Sequence, residues 1–354
     1  MITSLRLQNF RSYIDDSFEF NPGVNIVVGP NGSGKTNLLE AVLVLCGNKS
    51  FRTRDINLIN EKCKWARLEG NFENSERVLK LTINSEVSKK EFVLNGKEHK
   101  RLNFTQTVPV VVFEPNHLQI VARGPDVRRE FFDDLLIRTQ PTYKQFLNNY
   151  NRALTQRNSL LKKRHHVSPD QIFVWDIRLS ELGEKVAVAR HQLLQQLSSE
   201  LPEVYSKISG KPATVALRYC AGFAVESYGS RMLARLQQTH SRDAERGFTG
   251  CGPHREDIEF IFEDQPALNV ASRGETRSIM LALKILELQM IEKARGAQPI
   301  LLLDDVFSEL DGARRRALVD YLADHQTIIT TTEADAVIEY FSTGTHNLIP
   351  IQKP

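Results

Sequence analysis

The sequence predicts an α/β fold: a P-loop nucleotide-binding sheet split by an inserted, mainly helical lobe. Three observations carry that expectation. Gly29-Pro30-Asn31-Gly32-Ser33-Gly34-Lys35-Thr36 is a complete G-x-x-x-x-G-K-T that follows the β-branched run Val24–Val28 and opens a helix. A second apolar run, Ile300–Leu303, ends in the paired acids Asp304-Asp305. Between them, residues 126–209 are rich in Leu, Gln, Arg and Lys and poor in glycine, which suits a bundle of helices.

In chain order, Leu5, Leu7 and Phe10 and then Phe18 and Phe20 read as strands ahead of Val24–Val28. From Asn37 the period becomes helical, with Leu38, Leu39, Val42 and Leu45 on one face and Gly47 just past the end. Residues 66–104 read as strands again, with a turn at Asn95-Gly96. Val108–Phe113 is a further strand, Pro109 at its beginning or edge. No heptad persists through 126–209, so the lobe is compact rather than a coiled coil, and Pro202 and Gly210-Lys211-Pro212 punctuate its end. Strands resume at Thr214–Tyr219 and Ile258–Phe262, a helix at Glu275–Ala294, a buried strand at Pro299–Leu303, a helix at Ala313–Ala323 and a strand at Thr327–Thr330. The expected division is an N-terminal ATPase part at 1–107, a helical arm at 108–245 and a C-terminal ATPase part at 246–354.

Composition bounds the function. A chain of 354 residues with 41% hydrophobic and 25% charged residues is ordinary soluble-globular usage and excludes a wholly disordered or collagen-like chain. Near the start the longest apolar run, Ala41–Cys46, is far short of a membrane span, and no secretory signal precedes it, so a cytoplasmic protein without a membrane partner is expected. Cys46, Cys63, Cys220 and Cys251 stand far apart, which disfavours a disulfide framework or zinc site. Lys and Arg number 46 against 43 Asp and Glu, a net charge of +3, so any nucleic-acid site must be a local patch.

The glycines of residues 29–36 let backbone N–H groups curl around phosphates, and the helix N-terminus adds its positive end. Lys35 would reach the β- and γ-phosphates of ATP, and the Thr36 hydroxyl would ligate Mg²⁺. The strand Ile300–Leu303 would deliver Asp304 to the same Mg²⁺, while Asp305 would polarise the attacking water as a general base. An apolar strand ending in two acids is by itself a common solvated strand end; the phosphate loop is what turns it into a candidate site.

These motifs stand at opposite ends of the chain, so a large insertion must return to one sheet. Split heads of this kind resemble the ABC-type ATPases of the SMC class, which makes the expected fold class an ABC/SMC-type P-loop ATPase head. In that class a signature loop precedes the helix before the acidic strand, and here Ala271-Ser272-Arg273-Gly274-Glu275 occupies the place. The resemblance implies that Ser272 and Gly274 close over the γ-phosphate held by an opposite subunit. A capping box between Ser272 and Glu275 is the local structural reading, and both can hold. Ser308-Glu309-Leu310-Asp311 matches the loop that links the two sites across a dimer.

From end to end the chain is similar to the RecF family of bacterial DNA replication and repair proteins. Carrying the likeness are Asn9-Phe10-Arg11-Ser12-Tyr13, the phosphate loop, Ser50-Phe51-Arg52-Thr53, Arg128-Arg129-Glu130-Phe131-Phe132-Asp133, Gln156-Arg157-Asn158, Trp175-Asp176, Gly252-Pro253-His254-Arg255, Ser272-Arg273-Gly274 and Leu303–Asp311. The resemblance implies an ATP-dependent homodimer clamping single-stranded, gapped or duplex DNA in recombinational repair and replication. It also implies support of SOS induction, the partners RecR and RecO, and a weak DNA-dependent ATPase. Arg11 would lie near the nucleotide, where arginine suits phosphate. Departures are Glu275 in place of the signature glutamine, and Thr332 where transporters carry a switch histidine. No Q-loop glutamine stands out, although Gln106 and Gln119 flank the region.

For DNA, the candidates are Arg157, Lys162, Lys163 and Arg164, followed by His165 and His166; the alternative is a solvated helical face. No helix-turn-helix, zinc-finger or RNP pattern supports base reading. His254 lacks a second ligand at metal-binding spacing and reads as a turn histidine supporting the signature region. Two other classes compete: a nuclease-coupled head would need a further metal cluster, and a transporter subunit would need the switch histidine and the glutamine loop.

Overall fold

The structure, a computed structural model, describes residues 1–84, 87–162, 169–341 and 346–352. It divides into two compact units, one of Met1–His117 with Glu287–Pro354 and one of Leu118–Leu286. The chain runs through β1 (Ile2–Phe10), β2 (Tyr13–Glu19), β3 (Val24–Val28), α1 (Lys35–Leu45), β4 (Trp65–Phe72), β5 (Ser75–Asn84), β6 (Val87–Leu94), β7 (Lys97–His99) and β8 (Val110–Phe113). Then come α2 (Pro125–Thr139), α3 (Tyr143–Lys162), α4 (Pro169–Ser209), β9 (Val215–Cys220), α5 (Tyr228–Gln238), α6 (His240–Arg246), β10 (Asp257–Phe262), β11 (Gln265–Pro266), α7 (Ala267–Val270) and α8 (Arg273–Arg295). The chain returns through β12 (Ile300–Asp304), α9 (Val306–Glu309), α10 (Gly312–Leu322), β13 (Thr327–Thr331), α11 (Asp335–Ile338) and β14 (His346–Pro350).

In the first unit a five-stranded sheet has the order β14-β3-β13-β12-β8, and every pairing in it is parallel. Parallel strands covered on both faces read as unbroken apolar runs, which is why Val110–Phe113 and Ile300–Leu303 are buried at every position. The register sets Asp304 opposite Thr330 and Thr331 opposite Val28, so the ends of β12, β13 and β3 reach the same edge of the sheet. A six-stranded antiparallel sheet, β2-β1-β4-β5-β6-β7, joins it through a shared core. Leu38, Leu39, Val42 and Leu45 of α1 are fully buried in that core with Leu5, Leu7, Leu68 and Leu79 of one sheet and Ile300, Leu302 and Ile328 of the other. Burial at every position from Leu38 to Cys46 anchors the helix that begins at the phosphate loop.

The second unit packs α2–α6 with a three-stranded sheet of order β11-β10-β9. Its limits differ from those expected from sequence at 107/108 and 245/246. Val110–Phe113 pairs with β12 and so belongs to the nucleotide sheet, and β10 pairs antiparallel with β9, which ties residues 257–262 to the inserted unit. Strand character is local; sheet membership is a tertiary pairing. Pro202 does not end the helical lobe but lies inside the 41-residue α4. Leu201, Val204, Tyr205 and Ile208 around it are buried, enough to outweigh the roughly 3 kcal/mol a helical proline costs. Among the described residues no helix is long and apolar enough to cross a membrane.

Buried polar groups knit this unit together. Arg190 donates from Nε and Nη2 to the two carboxylate oxygens of Asp133, at 2.8 Å each, and from Nη1 to the Pro253 carbonyl at 2.7 Å. Arg157 corrects an expectation. Far from facing DNA, it is 0% exposed, its Nε donating to Asp176 at 2.6 Å and its Nη1 to Asp243 at 2.9 Å and Thr249 Oγ1 at 2.8 Å. Two carboxylates neutralise the guanidinium, and protein surrounds it. Lys162 is exposed at the end of α3; Lys163, Arg164, His165 and His166 lie outside the described residues. His254 is engaged at both ring nitrogens, Nδ1 2.6 Å from the Tyr150 hydroxyl and Nε2 3.2 Å from the Thr249 carbonyl. That arrangement suits a neutral ring protonated on Nε2 and leaves no nitrogen for a metal.

Arg157→Ala would strand two buried acids, so urea unfolding should show a loss of about 3–5 kcal/mol. Burial, aided by Arg255, Arg129 and Arg190, pushes the His254 pKa down to about 4, from near 6.5 in an unfolded chain. The unfolded state therefore takes up a proton that the folded state refuses. His254's contribution should be complete above pH 6.5 and fall as pH drops toward 4. Urea midpoints of wild type and His254→Gln should converge across that window.

Candidate nucleotide-binding site

The phosphate loop is shaped by what crowds it. Gly29 donates its N–H to the Thr331 carbonyl at 3.4 Å, and a Cβ there would stand 2.4 Å from the Ile351 carbonyl oxygen. Only glycine lets the segment after β14, where Ile351 N–H bonds Val28 O at 2.8 Å, cross this point. Gly34 has φ of 104°, and its Cβ would lie 2.9 Å from Ser12 Oγ. Pro30, Asn31 and Gly32 form an exposed crest, with Ser33 and Lys35 buried beneath.

Lys35 Nζ donates to the carbonyls of Gly29 at 2.7 Å and Pro30 at 3.0 Å. Burial lowers its pKa, and the nearby Asp305 and Asp304 oppose that shift. Ser33 Oγ is buried without a hydrogen-bond partner among the described residues, and the first N–H groups of α1 have no intrahelical acceptor. A buried ammonium, an unpartnered hydroxyl and a helix N-terminus under an open crest fit a phosphate chain.

The acidic strand meets this loop directly. Thr36 Oγ1 donates to Asp304 Oδ1 at 2.9 Å, which joins the two side chains expected to hold Mg²⁺. Thr330 Oγ1 donates to the same oxygen at 2.8 Å and accepts the Asp305 N–H at 3.0 Å. Asp305 turns the chain out of β12 with φ of 52°, a left-handed geometry uncommon for a non-glycine residue, and Ser308 Oγ holds its carbonyl at 2.6 Å. Among the described residues no group of three or more His, Cys, Asp or Glu could cage a metal. One carboxylate and one hydroxyl suit Mg²⁺, whose other ligands are commonly substrate phosphates and water.

Arg11 sits in the β1–β2 turn, whose neighbours touch the loop: the Tyr13 hydroxyl donates to Gly34 O at 3.0 Å and Asn37 Nδ2 to Ser12 Oγ at 3.0 Å. Its own guanidinium is paired with Glu40 of α1. In the inserted unit, Ser272 N–H bonds Glu275 Oε2 at 2.7 Å and Glu275 N–H bonds Ser272 Oγ at 3.3 Å, the reciprocal capping box. Glu275 thus turns its charge back onto its own helix end, and Ser272 remains exposed. Sequence reasoning passed over Thr330 and Glu40. Thr330 is one of four threonines in the stretch Thr327–Thr332, and nothing local distinguishes it from the others. Glu40 had a signal: an acid between Leu39 and Ala41, at a position that the apolar helix must bury.

Residues 1–345 match the RecF/RecN/SMC N terminal domain family. A Streptococcus uberis protein named DNA replication and repair protein RecF is 35% identical over 344 residues, covering 95% of this chain and 94% of its own. This chain belongs to the RecF family. A Microcystis aeruginosa protein of the same name is 33% identical, covering 93% and 92%. A solved structure described as the recombination mediator protein RecF-ATPrS in the RecFOR pathway superposes with a TM-score of 0.85 at 28% identity, over 95% of this chain and 94% of the other. An Smc head bound to the C-winged helix domain of ScpA, at 18% identity and a TM-score of 0.52 over 96% and 92%, shares the fold. The ABC/SMC-type head expected from the split motifs is therefore the observed fold.

Thr330→Val keeps the shape of the side chain, removes one hydrogen bond from Asp304 and leaves the Asp305 N–H unpaired. Calorimetric titration should show ATP affinity in the presence of Mg²⁺ falling about tenfold, with Mg²⁺-free binding little changed.

Proposed function

We propose that this RecF-family chain is an ATP-dependent DNA-binding clamp of recombinational repair and replication, which dimerises on ATP and hydrolyses it slowly. The observation that carries the reading is the Thr36–Asp304 hydrogen bond, which joins the phosphate loop to the acidic strand tip. Lys35, released from the loop carbonyls, would take the β- and γ-phosphates. Thr36 and Asp304 would hold Mg²⁺, which neutralises charge on the transferring phosphoryl group. Asp305 would orient a water and accept its proton as the water oxygen bonds the γ-phosphorus and ADP leaves.

The exposed Ser272 hydroxyl and Gly274 would close over the nucleotide held by a second copy, so ATP would act as glue and assembly would follow its concentration. Lys162, with Lys163 and Arg164, would contact phosphates of single-stranded, gapped or duplex DNA without reading sequence, which makes binding salt-dependent. The similar RecF of known structure is a recombination mediator of the RecFOR pathway, which supports RecR and RecO as partners here. SOS induction and a cytoplasmic location belong to the same reading.

Light scattering tests it. Wild type should double in mass with ATP and not with ADP, while Lys35→Met should stay monomeric with either. A wild type that binds ATP yet remains a monomer, with and without gapped DNA, would show the shared-site mechanism to be wrong.

A further inference from the structure

Glu40 is 0% exposed, on the helix that the phosphate loop opens and one turn beyond Thr36. A buried carboxylate is costly unless paired, and its partner comes from the β1–β2 turn. Arg11 donates from Nε to Oε2 at 2.8 Å and from Nη2 to Oε1 at 3.1 Å. This edge-on grip leaves Nη1 outside the pair, on a side chain still 21% exposed. Ser50 Oγ donates to Glu40 as well and accepts the N–H groups of Arg52 and Thr53 at 3.0 Å each.

The turn around Arg11 is held in an uncommon geometry. Asn9 and Arg11 both have positive φ, 52° and 53°. Arg11 N–H bonds Leu58 O at 2.9 Å, Asn60 Nδ2 bonds Arg11 O at 2.7 Å, and Asn60 N–H bonds Asn9 O at 2.8 Å. Strained backbone persists where its surroundings over-determine it, and such positions cluster at ligand sites. The next two residues, Ser12 and Tyr13, reach Asn37 and Gly34, so the strained turn delivers Arg11 to the flank of the phosphate loop.

We propose that Glu40 is a positioning residue of the nucleotide site: from inside α1 it grips the Nε/Nη2 edge of Arg11 and fixes the Nη1 edge outward, as a preformed donor to an anionic group of the bound nucleotide. The inference rests on the reading above that the loop binds ATP. An unrestrained arginine would lose several free torsions on binding; one already held by a buried carboxylate loses few. Glu40 does not touch the nucleotide and acts only through Arg11.

The test measures ATP·Mg²⁺ affinity of the full chain by calorimetry, with thermal unfolding followed in parallel. Glu40→Gln and Arg11→Ala should each raise Kd about tenfold, and the double variant should be no weaker than either alone, because both remove one device. In steady-state hydrolysis KM should rise with kcat within about twofold. If Glu40→Gln does not fold, Ser50→Ala, which removes one bond to the same carboxylate, should raise Kd about threefold. A Kd unchanged in the folded variant while Tm falls, or losses that multiply in the double variant, would overturn the inference and leave Glu40 a structural residue. Lys35→Met runs alongside: if it binds ATP as wild type does, it is the phosphate-loop reading that fails.

Discussion

Asp304 accepts hydrogen bonds from Thr36 and Thr330, and the rest of the site depends on those three side chains meeting. They are far apart in sequence, Thr36 and Asp304 being separated by 268 positions. Closing so long a loop adds only a slowly growing entropic cost, since each doubling of length costs roughly 0.6 kcal/mol. The parallel sheet holds the closure. β12 lies between β8 and β13, and β13 lies against β3, so strands from both ends of the chain share one hydrogen-bonded register. A one-residue slip of β12 would turn Asp304 away from Thr36 and put Leu303 in its place.

Around that junction, polar groups are held rather than merely present. Thr330 serves both acids at once, through its hydroxyl to Asp304 and from the Asp305 N–H. Gly29 is crossed by the segment at Ile351, so the last strand also shapes the loop near the start of the chain. Glu40 and Arg11 add a second restraint on the same helix, between its buried face and the strained β1–β2 turn. Each device fixes a side chain before any ligand arrives, the condition under which electrostatic stabilisation is most effective.

The inserted unit uses charge differently. Arg157 and Arg190 are enclosed with Asp176, Asp243 and Asp133, and they brace helices far apart in sequence. Positive charge counted along a helical stretch is therefore a poor guide to a nucleic-acid face. Of the basic residues singled out on α3, Arg157 points inward and Lys162 outward, although only five positions separate them. A buried arginine and an exposed lysine look alike in a composition count. Burial and the presence of acids elsewhere in the fold tell them apart.

Much of this protein was legible in its residues alone. The octet at 29–36, the apolar run before Asp304 and the change of period after Asn37 determine a phosphate loop, an acidic strand and the helix between loop and core. Those signals are local: glycine frees the backbone, apolar runs bury, and period sets the face. Tertiary structure decided that Val110–Phe113 joins the nucleotide sheet, that α4 continues through Pro202, that Arg157 is enclosed, that Thr330 bonds Asp304, and that Glu40 pairs with Arg11. Each of those outcomes is a pairing between residues distant in the chain. No window of sequence contains both partners, so the interaction energy that settles the matter exists only once the fold has brought them together.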